Sequence, residues 1–426
     1  MTAEQRWSIE VVSSVLPFKV SNYVLDELID WDNYEHDPMF HLTFPQKEML
    51  STEHFKQMAT ALIRTPDKEF HKEVSMSIRT ELNPHPAGQK EHNVPIVNGE
   101  PLIGLQHKYR ETVLFFPSAG QTCHSYCTFC FRWPQFVGMD DMKFAMKETG
   151  LLVDYLEEHQ EVTDILFTGG DPMIMNFGVF EKYIEPFLSG KTRTNIQTIR
   201  IGTKSLAFWP YKFVTDNDSD DFLRLFERIV SKGINLAFMA HFSHPRELET
   251  RVVAHAIKRL RNTGAQIRTQ SPILKHINDD SDVWAEMWRK QVNHNCIPYY
   301  MFVARNTGAQ HHFAVTLKEA WDIWRRAYHS VSGVCRTVRG PSMSCTPGKV
   351  QLLGVSEVNN QKVFVMRFLQ GRNPDWVGRP FFAKYDEDAI WMNELRPAFH
   401  DRFFFEEEEE ALFGETYLDS EARNFE

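Results

Sequence analysis

The stretch Val-Leu-Phe-Phe-Pro-Ser-Ala-Gly-Gln-Thr-Cys-His-Ser-Tyr-Cys-Thr-Phe-Cys-Phe-Arg-Trp at 113–133 passes from a short apolar strand, Val113–Pro117, into three closely spaced cysteines. Cys123, Cys127 and Cys130 form a C-x3-C-x2-C run, near enough for their thiolates to wrap one soft metal centre. A zinc site would normally call for a fourth Cys or His from a second doublet, and none follows at matching spacing. Iron–sulfur clusters usually take four thiolates per cubane. Three thiolates leave one iron open, a place to bind and reduce a small molecule. The alternative is three unrelated buried cysteines, which fits poorly with half of the chain's 6 cysteines falling in one short loop.

Working outward, the pattern from about 110 alternates short apolar runs with longer amphipathic segments. Strands are expected at Val113–Pro117, Asp164–Thr168, Thr198–Gly202, Asn235–Ala240, Gln266–Gln270 and Ile297–Val303. Helices are expected around 142–158, 177–188, 219–232, 246–263, 281–293 and 316–329. Strands alternating with helices of this length imply parallel pairing through right-handed crossovers. Six βα units make either a partial barrel or an open doubly wound sheet, and periodicity alone does not separate them. Residues 1–105 read as a mostly helical extension broken near Pro84, Pro86 and Pro95, and 106–345 as the core. Residues 346–426 form a small C-terminal extension with strand-like runs at Val350–Val355 and Lys362–Leu369. The polar residues of interest follow the strands: the Cys loop, Gly169-Gly170-Asp171, Gly202-Thr203-Lys204, His241 to His244, Gln270-Ser271 and Arg305. In parallel barrels the active site forms at those strand ends.

The 426 residues suffice for one large α/β domain with extensions or for two to three ordinary domains. Hydrophobic content of 42% and aromatic content of 13% can fill a large core. A net charge of −10 argues against a nucleic-acid binder, whose footprint would be basic. No secretory signal is read at the start and no apolar run reaches membrane-spanning length. Cys296, Cys335 and Cys345 are scattered and suggest no disulfide framework, which fits a reducing, cytoplasmic compartment. The acidic run Glu406–Glu410 reads as a solvated helix face or a frayed tail.

The cysteine spacing, with an aromatic before the last Cys, resembles the radical S-adenosylmethionine (SAM) superfamily. That resemblance implies a [4Fe-4S] cluster on Cys123, Cys127 and Cys130, whose open iron chelates SAM and cleaves it to a 5'-deoxyadenosyl radical. Gly169-Gly170-Asp171, by itself an ordinary βα turn, is similar to the superfamily's motif for the methionyl amino group. Glycine lets a backbone approach closely, and Asp171 would accept from the ammonium. A more specific resemblance joins His107-Lys108-Tyr109, the Cys loop ending in Phe131-Arg132, Asp164 to Asp171, Arg200 to Thr203, His241 to Pro245, Gln270-Ser271, Pro298 to Tyr300 and Pro347-Gly348-Lys349. This ordered set, over about residues 105–355, resembles the lysine 2,3-aminomutase family. The implied fold is a partial (β/α)6 barrel of the radical SAM type. The implied chemistry moves an amino group from C2 to C3, with pyridoxal 5'-phosphate (PLP) carrying the nitrogen and SAM supplying and recovering hydrogen.

Carried over position by position, the resemblance makes Lys349 the catalytic lysine that anchors PLP, with Lys108, Tyr109 and Gln270 as further cofactor residues. Arg132 would grip the substrate α-carboxylate through its planar fork. Several departures stand out. The run before Lys349, Ser342 to Gly348, looks longer than the family's glycine-rich turn; Thr112 stands where the family has an arginine; and Phe302 replaces a tyrosine. No Cys follows Cys345, so the family's C-terminal zinc site is not expected. Arg305 and Arg339 stand where lysine-specific members carry aspartates for the substrate ammonium. Cations there would repel lysine and attract a carboxylate, which points to glutamate or aspartate; alternatively the arginines pair with local acids. The expected partners are a free amino acid, an electron donor such as flavodoxin or ferredoxin, and a second copy in a homo-oligomer, with neither nucleic acid nor membrane. Two other readings are a lysine 2,3-aminomutase acting on free lysine or on a lysine of a protein, and a non-catalytic Fe–S binding or sensor protein.

Overall fold

The apolar alternation of the central segments resolves into one long sheet. The computed structural model describes residues 1–84, 92–139 and 142–413. Pro86 and positions 414–426 of the expected tail fall outside the described residues. Among these the main sheet has 11 strands. They are β1 (Leu105–Tyr109), β2 (Thr112–Phe115), β3 (Asp164–Phe167), β4 (Thr198–Thr203), β5 (Asn235–His241), β6 (Gln266–Pro272), β7 (Ile297–Phe302), β8 (Arg339–Ser344), β9 (Gly348–Val358), β10 (Gln361–Gly371) and β11 (Pro380–Lys384). Each strand lies beside its neighbours in chain order. β2 through β8 are parallel. The first strand and the last three run antiparallel at the two ends.

This order separates the two folds that periodicity left open. A doubly wound sheet needs a reversal in strand order, and none occurs. Right-handed crossovers taken always in one direction put every helix on the same face. The result is a partial barrel, with no pairing between β1 and β11 to close it. Along β4 the residues alternate: Ile199, Ile201 and Thr203 are buried, while Arg200 and Gly202 are half-buried. The two isoleucines join the helices in one apolar cluster. Arg200, on the opposite face, is bonded to Asp164 of β3 (Nε to Oδ1 2.8 Å). The concave face is therefore polar.

The expected six strands all form, and β8 adds a seventh parallel strand that was not expected. Its sequence, Arg-Gly-Pro-Ser-Met-Ser, has no β-branched residue and carries a proline, which argues against a strand taken alone. Gly340 fits because a Cβ there would sit 2.4 Å from the Met301 carbonyl oxygen of β7. Helices occupy Phe177–Leu188, Ser219–Ser231, Ser281–Asn293 and Leu317–His329 as expected, and the one expected from 246 starts at Arg251 and runs to Asn262 after a 3-10 turn at Pro245–Leu248; most are capped by a side chain such as Asn176, Thr250, Asp280 or Thr316. The helix expected from 142 begins only at Thr149. Met146 instead runs alongside the strand-to-loop corner, donating to Phe116 O (2.9 Å) and accepting from Ser118 N (2.9 Å).

The N-terminal helices share the barrel's apolar cluster through Val11, Val12, Val15, Met39 and Phe40. Arg79 is 9% exposed and donates to the carbonyls of Val15 (2.8 Å), Val137 (2.9 Å) and Ser14 (3.0 Å). A second apolar cluster joins Val303, Leu317 and Met343 to Phe364, Phe368, Trp376, Phe381 and Phe405. The sheet runs unbroken past residue 345, with Ser344 paired to Lys349. Of the acidic run, Glu408 accepts from Trp376 Nε1 (2.9 Å) and Asn373 Nδ2 (2.7 Å), and Glu410 pairs with Arg402 (2.9 Å), so it is not a frayed tail. No helix among the described residues is long and apolar enough to cross a membrane.

Candidate active site

The cysteine loop lies where β2 ends and is held from outside by the N-terminal segment. Tyr126 N donates to Lys19 O (2.8 Å), Thr128 N to Leu42 O (3.0 Å), and Lys19 Nζ to Cys123 O (2.6 Å). Ser21 N donates to Ser125 Oγ (2.9 Å). Inside the loop, Cys130 N donates to Cys127 O (3.1 Å). All three thiols are free. Burial pushes the Cys130 thiol up to about 11 and raises Cys123 and Cys127 as well, where the neighbouring thiols add to the rise. Three such thiols become thiolates together only around a cationic centre, so the donor set fits a metal cluster. Among the described residues no three His, Cys, Asp or Glu side chains are gathered for a single metal ion.

The glycine pair after β3 has a definite steric cause. A Cβ on Gly169, whose φ is +138°, would lie 2.2 Å from the Gln121 side chain. One on Gly170 would lie 2.4 Å from the Thr122 carbonyl oxygen. The close approach is thus to the entry of the cysteine loop. Asp171 departs from the expectation that it accepts from an incoming ammonium. It is 3% exposed, and its two oxygens already take Thr203 Oγ1 (2.7 Å), Met173 N (2.9 Å), Lys204 N (2.9 Å) and Ser205 Oγ (3.0 Å). Burial raises its pKa and these donors oppose the rise. Asp171 ties the end of β3 to the end of β4.

Lys349, on β9, places its amine 4.3 Å from the centre of the Tyr300 ring and 5.6 Å from that of Phe302. Among the described residues the amine has neither a hydrogen bond nor an ion pair. Burial, with Arg200 next, lowers its pKa to about 8. Lys108 of β1 donates to the Cys345 carbonyl, bridging the open side of the barrel. Burial, then Arg372, Arg305 and Lys349, depress its pKa well below the usual lysine value. The Tyr109 hydroxyl is buried with the Ser344 side chain beside it. Gln270 lies in register between His241 and Tyr300. These residues fit PLP: a neutral-prone amine, cations for a phosphate and a buried hydroxyl.

The guanidinium groups of Arg132 and Arg305 lie against one ring, 5.3 and 5.1 Å from the centre of Phe131. Neither meets a carboxylate among the described residues. Burial lowers Arg132 to about 9, with Arg305 contributing, and depresses Arg305 as well. Arg339 is exposed and further out, over Tyr299 (4.8 Å) and within 3.3 Å of its hydroxyl. The idea that these arginines pair with local acids therefore finds no support in the described contacts. Thr112 turns away, donating to Asp164 (3.2 Å), and His107 faces Tyr155 (2.6 Å).

Three residues in or beside the site were given no role from sequence. Lys204 makes a buried ion pair with Glu247 (2.6 Å) beside Cys127. His241 stacks on Phe129 (5.9 Å) and leaves Nδ1 without a partner. Arg372 grips the turn before Lys349. The Gly202-Thr203-Lys204 and His241 runs were visible as strand ends; Arg372 had no such signal.

No protein-family model matches the chain. A protein named "Putative L-lysine 2,3-aminomutase" from Aquifex aeolicus (strain VF5) is 28% identical over 392 residues, 92% of this chain and 91% of that protein. An L-lysine 2,3-aminomutase from Haemophilus influenzae is 26% identical over 239 residues, 55% of this chain and 65% of its own length. A glutamate 2,3-aminomutase from Clostridioides difficile (strain 630) is 27% identical over 274 residues, 64% of this chain and 60% of its own length. A solved radical SAM methyltransferase from Sphaerobacter thermophilus overlaps 56% of this chain and 68% of that one, at 13% identity and a TM-score of 0.38, too loosely to carry an argument.

Proposed function

We propose that this chain, which belongs to the radical SAM lysine 2,3-aminomutase family, is a 2,3-aminomutase that prefers an amino acid with a side-chain carboxylate. In the reaction the C2–N bond breaks, a C3–N bond forms, and hydrogen moves from C3 to C2, so no net oxidant is consumed. The observation that carries the reading is the Lys349 amine, uncharged in part at neutral pH, with Arg200 and Arg339 acting on it and Lys108 within its field. Cys123, Cys127 and Cys130 would hold a [4Fe-4S] cluster with SAM on its open iron, and Lys349, Lys108, Tyr109 and Gln270 would hold PLP. Together these groups supply a substrate-centred radical and a carrier for the migrating nitrogen.

The chain's own residues do the positioning. Gly169 and Gly170 let the cysteine loop pack down, and Asp171 fixes the β3 and β4 ends that border it. Arg132 binds the substrate α-carboxylate, and Arg305, with Arg339 at the rim, the distal one. Two guanidinium groups against the single Phe131 ring support a ligand with two carboxylates. The relatives include both lysine and glutamate enzymes, so the preference rests on these arginines. Anaerobic incubation with SAM, reductant and a panel of amino acids, read by chiral analysis of β-amino acids, tests it. A charge-assisted pair contributes roughly 1.5–3 kcal/mol and a like charge costs as much, so glutamate or aspartate should exceed lysine by about a hundredfold. Faster conversion of lysine to β-lysine would remove the substrate preference and leave the aminomutase reading standing.

A further inference from the structure

We propose that Arg372, from the C-terminal hairpin, joins Lys108 in binding the cofactor phosphate, supplying the cation that Thr112 does not. This rests on the reading that the site takes PLP. Thr112 is committed elsewhere: its hydroxyl donates to Asp164, and Asp164 is bidentate with Arg200 (2.8 and 2.6 Å). The cation of the β1–β2 hairpin that reaches the turn before Lys349 is Lys108.

The replacement comes across the open side of the barrel. Lys108 Nζ donates to the carbonyl of Cys345. Arg372 Nε donates to the next carbonyl, Thr346 O, at 2.8 Å, and Arg372 N donates to Pro347 O at 3.0 Å. Two cations therefore grip successive carbonyls of the turn that delivers Lys349. That turn is pressed against the end of β10, since a Cβ on Gly348 would lie 2.3 Å from Gln370 O. Arg372 is the charge that most strongly depresses Lys108, ahead of Arg305 and Lys349. Several cations around one turn repel each other, and a dianion between them turns that cost into binding. The planar fork of an arginine matches phosphate oxygens.

Arg372 also bonds Asn93 Oδ1 (2.6 Å) and His92 O (3.4 Å), so it could serve only as a clasp for the turn. Titration with PLP and, separately, with pyridoxal distinguishes the two roles, because pyridoxal has the aldehyde without the phosphate. Bound cofactor is read by its absorbance and by borohydride fixation at Lys349. Arg372→Met should weaken PLP by roughly ten- to hundredfold and leave pyridoxal unchanged. Arg372→Gln, which keeps an N–H donor without the charge, should behave alike, and Arg372→Lys should recover part of the affinity. Equal losses for both ligands, or no loss for PLP, would overturn the proposal. Wild-type protein that fails to prefer PLP over pyridoxal would instead overturn the cofactor reading itself.

Discussion

An amine that attacks an aldehyde must be unprotonated, and the surroundings of Lys349 favour that form. Burial and the nearby Arg200 remove the stabilisation that water gives an ammonium, and the Tyr300 and Phe302 rings offer no hydrogen-bond acceptor in its place. With a pKa near 8, the rate of PLP capture should rise with pH up to about 8 and level off above it. Lys349→Ala should abolish borohydride fixation of PLP while leaving the iron and sulfide content of the reconstituted protein unchanged. Fixation at another lysine, found by peptide mapping, would show that a different amine does this work. The expectation for Lys349 came from Pro347-Gly348-Lys349, and that for the cysteines from their spacing. Arg372 was not legible, because nothing local distinguishes it. Its importance arises only when β10 returns beside the turn.

At the scale of elements, strands with alternating β-branched and aromatic residues were readable: Thr198–Gly202 is observed as Thr198–Thr203 and Asp164–Thr168 as Asp164–Phe167. β8 was hidden because the pairing of Gly340 against Met301 overrides the poor strand character of its own residues. Equally hidden was the work of the N-terminal segment, whose backbone groups at Lys19, His41 and Leu42 hold the cysteine loop. That segment is fastened to the barrel by stacked imidazoles. His41 stacks on His276 (5.7 Å), and His276 on His312 (4.7 Å), with His311, Lys275, Asp279 and Glu48 nearby. Burial, then His276 and His41, lower His312 to about 3. Its unfolded pKa is near 6.5, so the unfolded chain takes the proton first. The stability His312 contributes is full above about pH 6.5 and is lost as pH falls towards 3. The melting temperature should drop over that window, and His312→Phe should flatten the drop. An unchanged slope in the variant would remove His312 from the account.

Taken as a whole, the molecule is a barrel with an open side, bridged by side chains where strand pairing stops. Lys108 reaches Cys345, 237 residues away in sequence, and Arg372 reaches Asn93, 279 residues away. On the proposed roles PLP would bind against that bridge and should stabilise the folded protein by mass action. Saturating PLP should raise the melting temperature of wild-type protein and not of Lys349→Ala with Arg372→Met; a rise in both would mean binding elsewhere. The two ends of the chain also divide the labour of building the site. The cysteine loop is gripped by Lys19, Leu42, Gly169 and Gly170, with Lys204 close by. Lys349 and Arg372 come late, after the last parallel strand. A chain emerging from the ribosome amino end first presents the cysteine loop and the residues that grip it long before Lys349 is made. On the proposed roles, the ligands for the cluster are complete on the nascent chain while the amine for PLP is still to come.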